Sequence, residues 1–141
     1  MIIPQLSIFL ENKSGRLTEV LEALGKENIR IIALSVADTS EFGILRLIVP
    51  DPDTARALLK EQHFTVNISE VISVRTPNEA QHYARLLRIL SDLDISVEYT
   101  YGFPHGKEAV IVLRCSNNEE AVKALENKNI ELLSAKDFKD F

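Results

Sequence analysis

One cysteine in the whole chain, Cys115, has no partner for an internal disulfide, and this scarcity fits a reducing compartment. No apolar run approaches the roughly 20 residues that span a bilayer. The opening MIIPQLSIFLENK has neither a basic leader nor a small-residue cleavage site. The expectation is a cytoplasmic protein with no membrane partner. Positive charge is also scarce. The 16 Lys and Arg stand against 21 Asp and Glu, the net charge is -5, and no window gathers the cations into a stripe, which speaks against nucleic acid as a partner.

The groups that carry catalysis are missing too. His63, His82 and His105 fall in three different segments without the cysteine, histidine or carboxylate spacings of a metal site, so no metal is expected. Cys115 ends an apolar run with no histidine at a nucleophile's spacing and reads as a small buried residue. There is no Gly-x-Gly-x-x-Gly or Walker loop, and Gly102-Phe103-Pro104-His105-Gly106 is too bulky to cradle a phosphate. An enzyme is the remaining reading, because a fold by itself does not settle chemistry. With no paired acid and base, the expectation is no catalytic residue, no cofactor and no enzymatic activity.

What is present is an ordinary globular composition, 45% hydrophobic and 26% charged. One body of this length buries about 68% of its unfolded surface, whereas two halves of about 70 residues are each marginal alone. Gln5 to Glu11 alternates like a strand. Leu17, Val20, Leu21 and Leu24 then follow helical spacing, with Ser14 as the expected N-cap and Lys26-Glu27-Asn28 closing the segment. Ile29 to Ala37 and Ile44 to Val49 read as a hairpin around Asp38 to Gly43. Asp51-Pro52-Asp53-Thr54 starts a helix running to about Gln62, and Phe64 to Ile68 alternates again.

The order βαββαβ then repeats. Val71 to Arg75 reads as a strand and Asn78 caps the next helix. Ile95 to Tyr101 pairs with Ala109 to Arg114, Ser116 to Glu119 opens a last helix as a capping box, and Ile130 to Ser134 closes the unit. Leu21 aligns with Leu87 at an offset of 66 (87 minus 21), and the same offset takes Val20 to Leu86, Leu24 to Leu90, Ile29 to Ile95 and Asn12 to Asn78. The chain reads as a duplication. The expected fold is α+β: two ferredoxin-like βαββαβ units, residues 1–69 and 70–141, with antiparallel sheets joined side by side.

Asn12-Lys13-Ser14-Gly15-Arg16-Leu17, set between a strand and the Val20-Leu21-Leu24 helix and followed by Asn28-Ile29, resembles the loop of an ACT domain. The resemblance covers both halves, so the chain is similar to a tandem ACT protein. Its loop motif is good only in the first half, because Gln81 stands where Gly15 would repeat. The resemblance implies a non-catalytic regulatory module that binds a free amino acid as effector at the interface of two ACT units. Asn12, Lys13, Ser14, Gly15, Arg16 and Leu17 are the implied ligand-binding loop. A helix N-terminus suits a carboxylate, and a glycine there lets it approach the backbone. For the ammonium, Asn12, Ser35 and Asp38 are the nearest oxygens. Tyr99 and Tyr101 share a face of their strand and either line the pocket or serve as core aromatics. Asn78 with Gln81 reads as a capping pair that would occupy the amides of the second loop. The alternative reading is a detached regulatory subunit that docks on a biosynthetic enzyme or on its own copies as a homodimer.

Overall fold

The computed structural model describes residues 1–11, 14–38 and 41–141, apart from the side chain of Asp38. Its elements run β1 (Ile2–Glu11), α1 (Arg16–Lys26), β2 (Ala33–Asp38), β3 (Phe42–Ile48), α2 (Pro52–Glu61) and β4 (Thr65–Pro77), then α3 (Ala80–Ser91), β5 (Val97–His105), β6 (Glu108–Cys115), α4 (Asn118–Asn127), β7 (Glu131–Leu132) and α5 (Ala135–Lys139). Two compact units result, one of Pro4–Ser69 with Phe141 and one of Met1–Ile3 with Glu70–Asp140. Both run in the expected βαββαβ order, with antiparallel strands and helices mixed.

In the first-half unit β2, β3 and β1 pair antiparallel, with Leu34 opposite Leu47 and Leu47 opposite Leu6. Alternation sends Leu6, Ile8, Leu45 and Leu47 to one face, where they meet Val20 and Leu24 of α1 and Leu59 of α2 in one core. Each such fully buried aliphatic side chain contributes roughly 1.5–3 kcal/mol. The second-half unit repeats the scheme. β4, β6 and β5 lie in that order, β7 pairs with β4, and Ile72, Val74, Ile111 and Leu113 meet Leu86, Leu90 and Leu125.

The duplication also shows in how the helices stop. Asn28, His63, Asp94 and Asn129 follow α1 to α4, and each has a positive φ, between 54 and 66°. The offset of 66 carries Asn28 to Asp94 and His63 to Asn129. In every case the next residue donates its amide to a carbonyl five positions back, as Ile29 does to Leu24 and Phe64 to Leu59. This is the Schellman stop, here built without glycine.

Several expectations are corrected. Gly15, not Ser14, is the N-cap of α1, and no side chain caps it. β2 begins at Ala33, because Ile29 and Ile31 join the core from the connection after α1. The two strands expected at Phe64 to Ile68 and Val71 to Arg75 are one strand of 13 residues. β5 runs through Phe103 and Pro104 to His105, with the turn at Gly106, whose φ is 63°. As the terminal strand of its order, β5 tolerates a proline. The N-cap of α3 is Glu79, and that of α4 is Asn117, whose side chain accepts from the Glu120 amide at 3.0 Å.

The short α5 was not anticipated. Its capping box joins Ser134 to Asp137, whose carboxylate accepts from the Ser134 amide at 2.7 Å and from its hydroxyl at 3.1 Å. These bonds hold the Asp137 carboxyl below its ordinary value of 3.8. A group whose pKa is lower folded than unfolded stabilises at pH above its unfolded value and loses that contribution as pH falls through the folded one. Asp137→Asn should therefore lower the unfolding free energy measured in urea at pH 7 by less than about 1 kcal/mol, with the difference fading in acid. Among the described residues no helix is long and apolar enough to cross a membrane.

Candidate functional site

The turn from β1 into α1 differs from the starts of α2 and α4. There Asp51 and Asn117 cap the first-turn amides with a side chain. At α1 the cap position belongs to Gly15, with φ 89° and ψ -6°, a left-handed conformation that L side chains rarely adopt. Its carbonyl accepts the Glu19 amide at 2.9 Å. A Cβ built on Gly15 would find nothing within 4 Å. Glycine is thus demanded by the dihedral rather than by crowding, and the space above it is open. The first turn of α1 presents amides without a side-chain cap and the positive end of its dipole.

Arg16 adds a full charge beside them. Its Nη1 donates to Glu19 Oε2 at 2.6 Å, and its guanidinium carbon lies 4.4 Å from the centroid of the buried Phe64 ring. The Arg16 Nε is buried and has no hydrogen-bond partner in the protein. An unsatisfied buried donor costs on the order of 1–3 kcal/mol. Leu17 turns inward onto the core. Ser14 is exposed in the turn, and Asn12 and Lys13 lie outside the described residues.

The other expected residues are more scattered. Ser35 is half-buried on β2 opposite Arg46, so it alternates away from the face that Leu34 and Val36 share with Leu47 and Leu45. Asp38 ends β2 opposite Gly43. In the second-half unit Tyr99 and Tyr101 are half-buried on β5 opposite Arg114 and Val112. Tyr101 also borders a pocket of about 320 Å³ with Tyr83, Leu86, Leu87, Gly102 and Ile111. Sequence reasoning named Tyr101 but missed the rest of this pocket, where a Cβ on Gly102 would come within 2.7 Å of Ile111 Cδ1. The α3 start departs from the capping pair expected of Asn78 and Gln81. No side chain caps it, and Asn78 Oδ1 instead accepts the Tyr83 hydroxyl at 2.8 Å.

Burial, with a smaller push from Glu98, raises the Cys115 thiol to about 11, leaving it protonated at neutral pH. Among the described residues no three His, Cys, Asp or Glu side chains gather into a metal site.

Residues 1–141 match the family model of the ACT domain pair, and the chain belongs to that family of regulatory modules. It is 47% identical to protein BT0572 from Bacteroides thetaiotaomicron, covering 100% of this chain and 98% of that one at a TM-score of 0.95. The ligand-free regulatory subunit of aspartate kinase from Thermus thermophilus shares the fold at 12% identity and TM-score 0.62, over 88% of this chain and 91% of that one. The corresponding subunit from Thermus flavus does so at 12% identity and TM-score 0.59, over 90% and 94%. No curated protein sequence matches.

Proposed function

We propose that the chain is a non-catalytic sensor whose β1–α1 turn takes the carboxylate of a free amino acid. One observation carries this reading: Gly15 is held at φ 89° under open space at the uncapped start of α1. Uncapped amides, a dipole end and a guanidinium all favour an anion there, and the absence of a Cβ lets it come close. The ammonium then needs oxygens, which the carbonyls ending β2 would supply, and a facing ACT unit completes the site.

A thermal-shift screen of the full chain against the twenty amino acids tests this. At a hundredfold excess over Kd, a ligand specific for the folded state adds about 2.7 kcal/mol. One amino acid or one side-chain class should raise the Tm, and a flat result across all twenty would sink the reading. The second reading, a detached regulatory subunit that docks on a biosynthetic enzyme, is favoured by the bare β2 strand, where Leu34 and Val36 are 50% and 42% exposed.

A further inference from the structure

The two helix pairs, equivalent through the duplication, carry opposite charges at matching positions. Glu19 and Glu22 on α1 become Arg85 and Arg88 on α3, and Lys26 becomes Asp92. On the other helix of each pair, Lys60 becomes Glu126. All eight side chains are exposed. Glu19, Lys26, Lys60 and Arg88 suit the dipoles of their own helices, as do Asp53 and Glu119, which keep their sign in a first turn. Asp92 breaks that logic. It is the C-cap of α3, the end at which a carboxylate is disfavoured, so its own helix does not account for it.

Size is exchanged along with charge. Between α1 and α2 the groove is floored by Ala23 and Leu58, and between α3 and α4 the equivalents are Ile89 and Ala124. Small and large thus change places between the two helices of each pair. Leu93 stands 51% exposed at the margin of the second groove.

We infer that the α1/α2 face of one copy docks on the α3/α4 face of a second copy, with α1 running parallel to the partner copy's α3 so that equivalent levels meet. In that register all three α1 charges find an opposite. An antiparallel register would set Glu19 near Asp92 and Lys26 near Arg85. Exposed ion pairs contribute at most about 1 kcal/mol each, so the charges choose partner and register while the apolar steps supply the burial. Two existing contacts must adjust: Glu19 already pairs with Arg16, and Arg85 donates to the Lys128 carbonyl at 3.2 Å. This inference is independent of amino-acid binding.

Sedimentation velocity on the full chain tests it with two reversals outside the candidate site, Glu22→Arg and Arg88→Glu. The wild type should self-associate, less so in high salt. Each reversal should weaken that association about tenfold, because it sets like charges opposite one another. A 1:1 mixture of the two variants should restore it, since Arg at 22 then meets Glu at 88 and the untouched faces keep their natural pair. A wild type that stays monomeric, variants that associate as the wild type does, or a mixture no tighter than its components would each overturn the inference.

Discussion

Severing the chain between Ser69 and Glu70 should leave neither fragment stably folded on its own. The cut falls inside β4, a single strand of 13 residues that contributes to both units. It also separates segments from the unit they complete. Ile2 packs on the second core and Ile3 is 2% exposed, yet both would stay with the fragment 1–69. Phe141, whose carbonyl accepts from Arg30, would leave with the other. Each fragment has about 70 residues and no disulfide or metal to compensate, a size at which a single core supplies only about 3–5 kcal/mol. Circular dichroism and gel filtration of the isolated fragments should show disordered or self-associated material. A stable, monomeric 1–69 with a cooperative thermal transition would contradict this.

The repeat was legible because the core imposes it twice. Val20 and Leu86 face inward at equivalent turns, and strand alternation survives in Leu6 with Ile8 and in Ile72 with Val74. Boundaries were harder where the deciding quantity is a dihedral or a neighbour. Ser14 has the better capping side chain, but the chain enters α1 through a left-handed residue, and only Gly15 adopts that freely. Ser69 and Glu70 look like a break between strands, yet a strand interior accepts polar residues wherever a face is open to water. Pro104 reads as a loop until β5 is seen at the end of its strand order. Asp137 three residues after Ser134 was a readable cap, but five helical residues are too few to show a period.

The site was legible in its backbone and less so in its side chains. A strand, a Ser-Gly step and an amphipathic helix identify the turn. Nothing in the spacing tells that Arg16 lies over Phe64, because that contact joins the start of α1 to the residue just before β4. Ser35 fell on the other face for a related reason. Both faces of β2 carry apolar residues, Leu34 and Val36 on one and Ala33 and Ala37 on the other, so alternation alone does not say which side the helices cover.

Gly15→Val should separate the two roles of that turn. A β-branched residue at φ 89° costs on the order of 1–3 kcal/mol, so the Tm should fall or the turn should rearrange. The cost is conformational, because a Cβ meets nothing within 4 Å. If the open space is where a carboxylate approaches the α1 amides, the valine methyls occupy it and the rearranged cap misdirects the donors. Amino-acid affinity should then drop at least about tenfold, or 1.4 kcal/mol. Gly15→Asn is the partner experiment, since asparagine tolerates the left-handed region and should preserve most of the stability. Its side chain still enters the open space and offers an oxygen to the amides. Affinity should therefore fall in the asparagine variant while the Tm changes little. Calorimetric titration with the amino acid found in the screen, beside thermal unfolding of both variants, reads the two effects separately. Binding that survives in both variants, with stability lost only in the valine one, would reduce the Gly15 turn to a helix cap and move the ligand elsewhere.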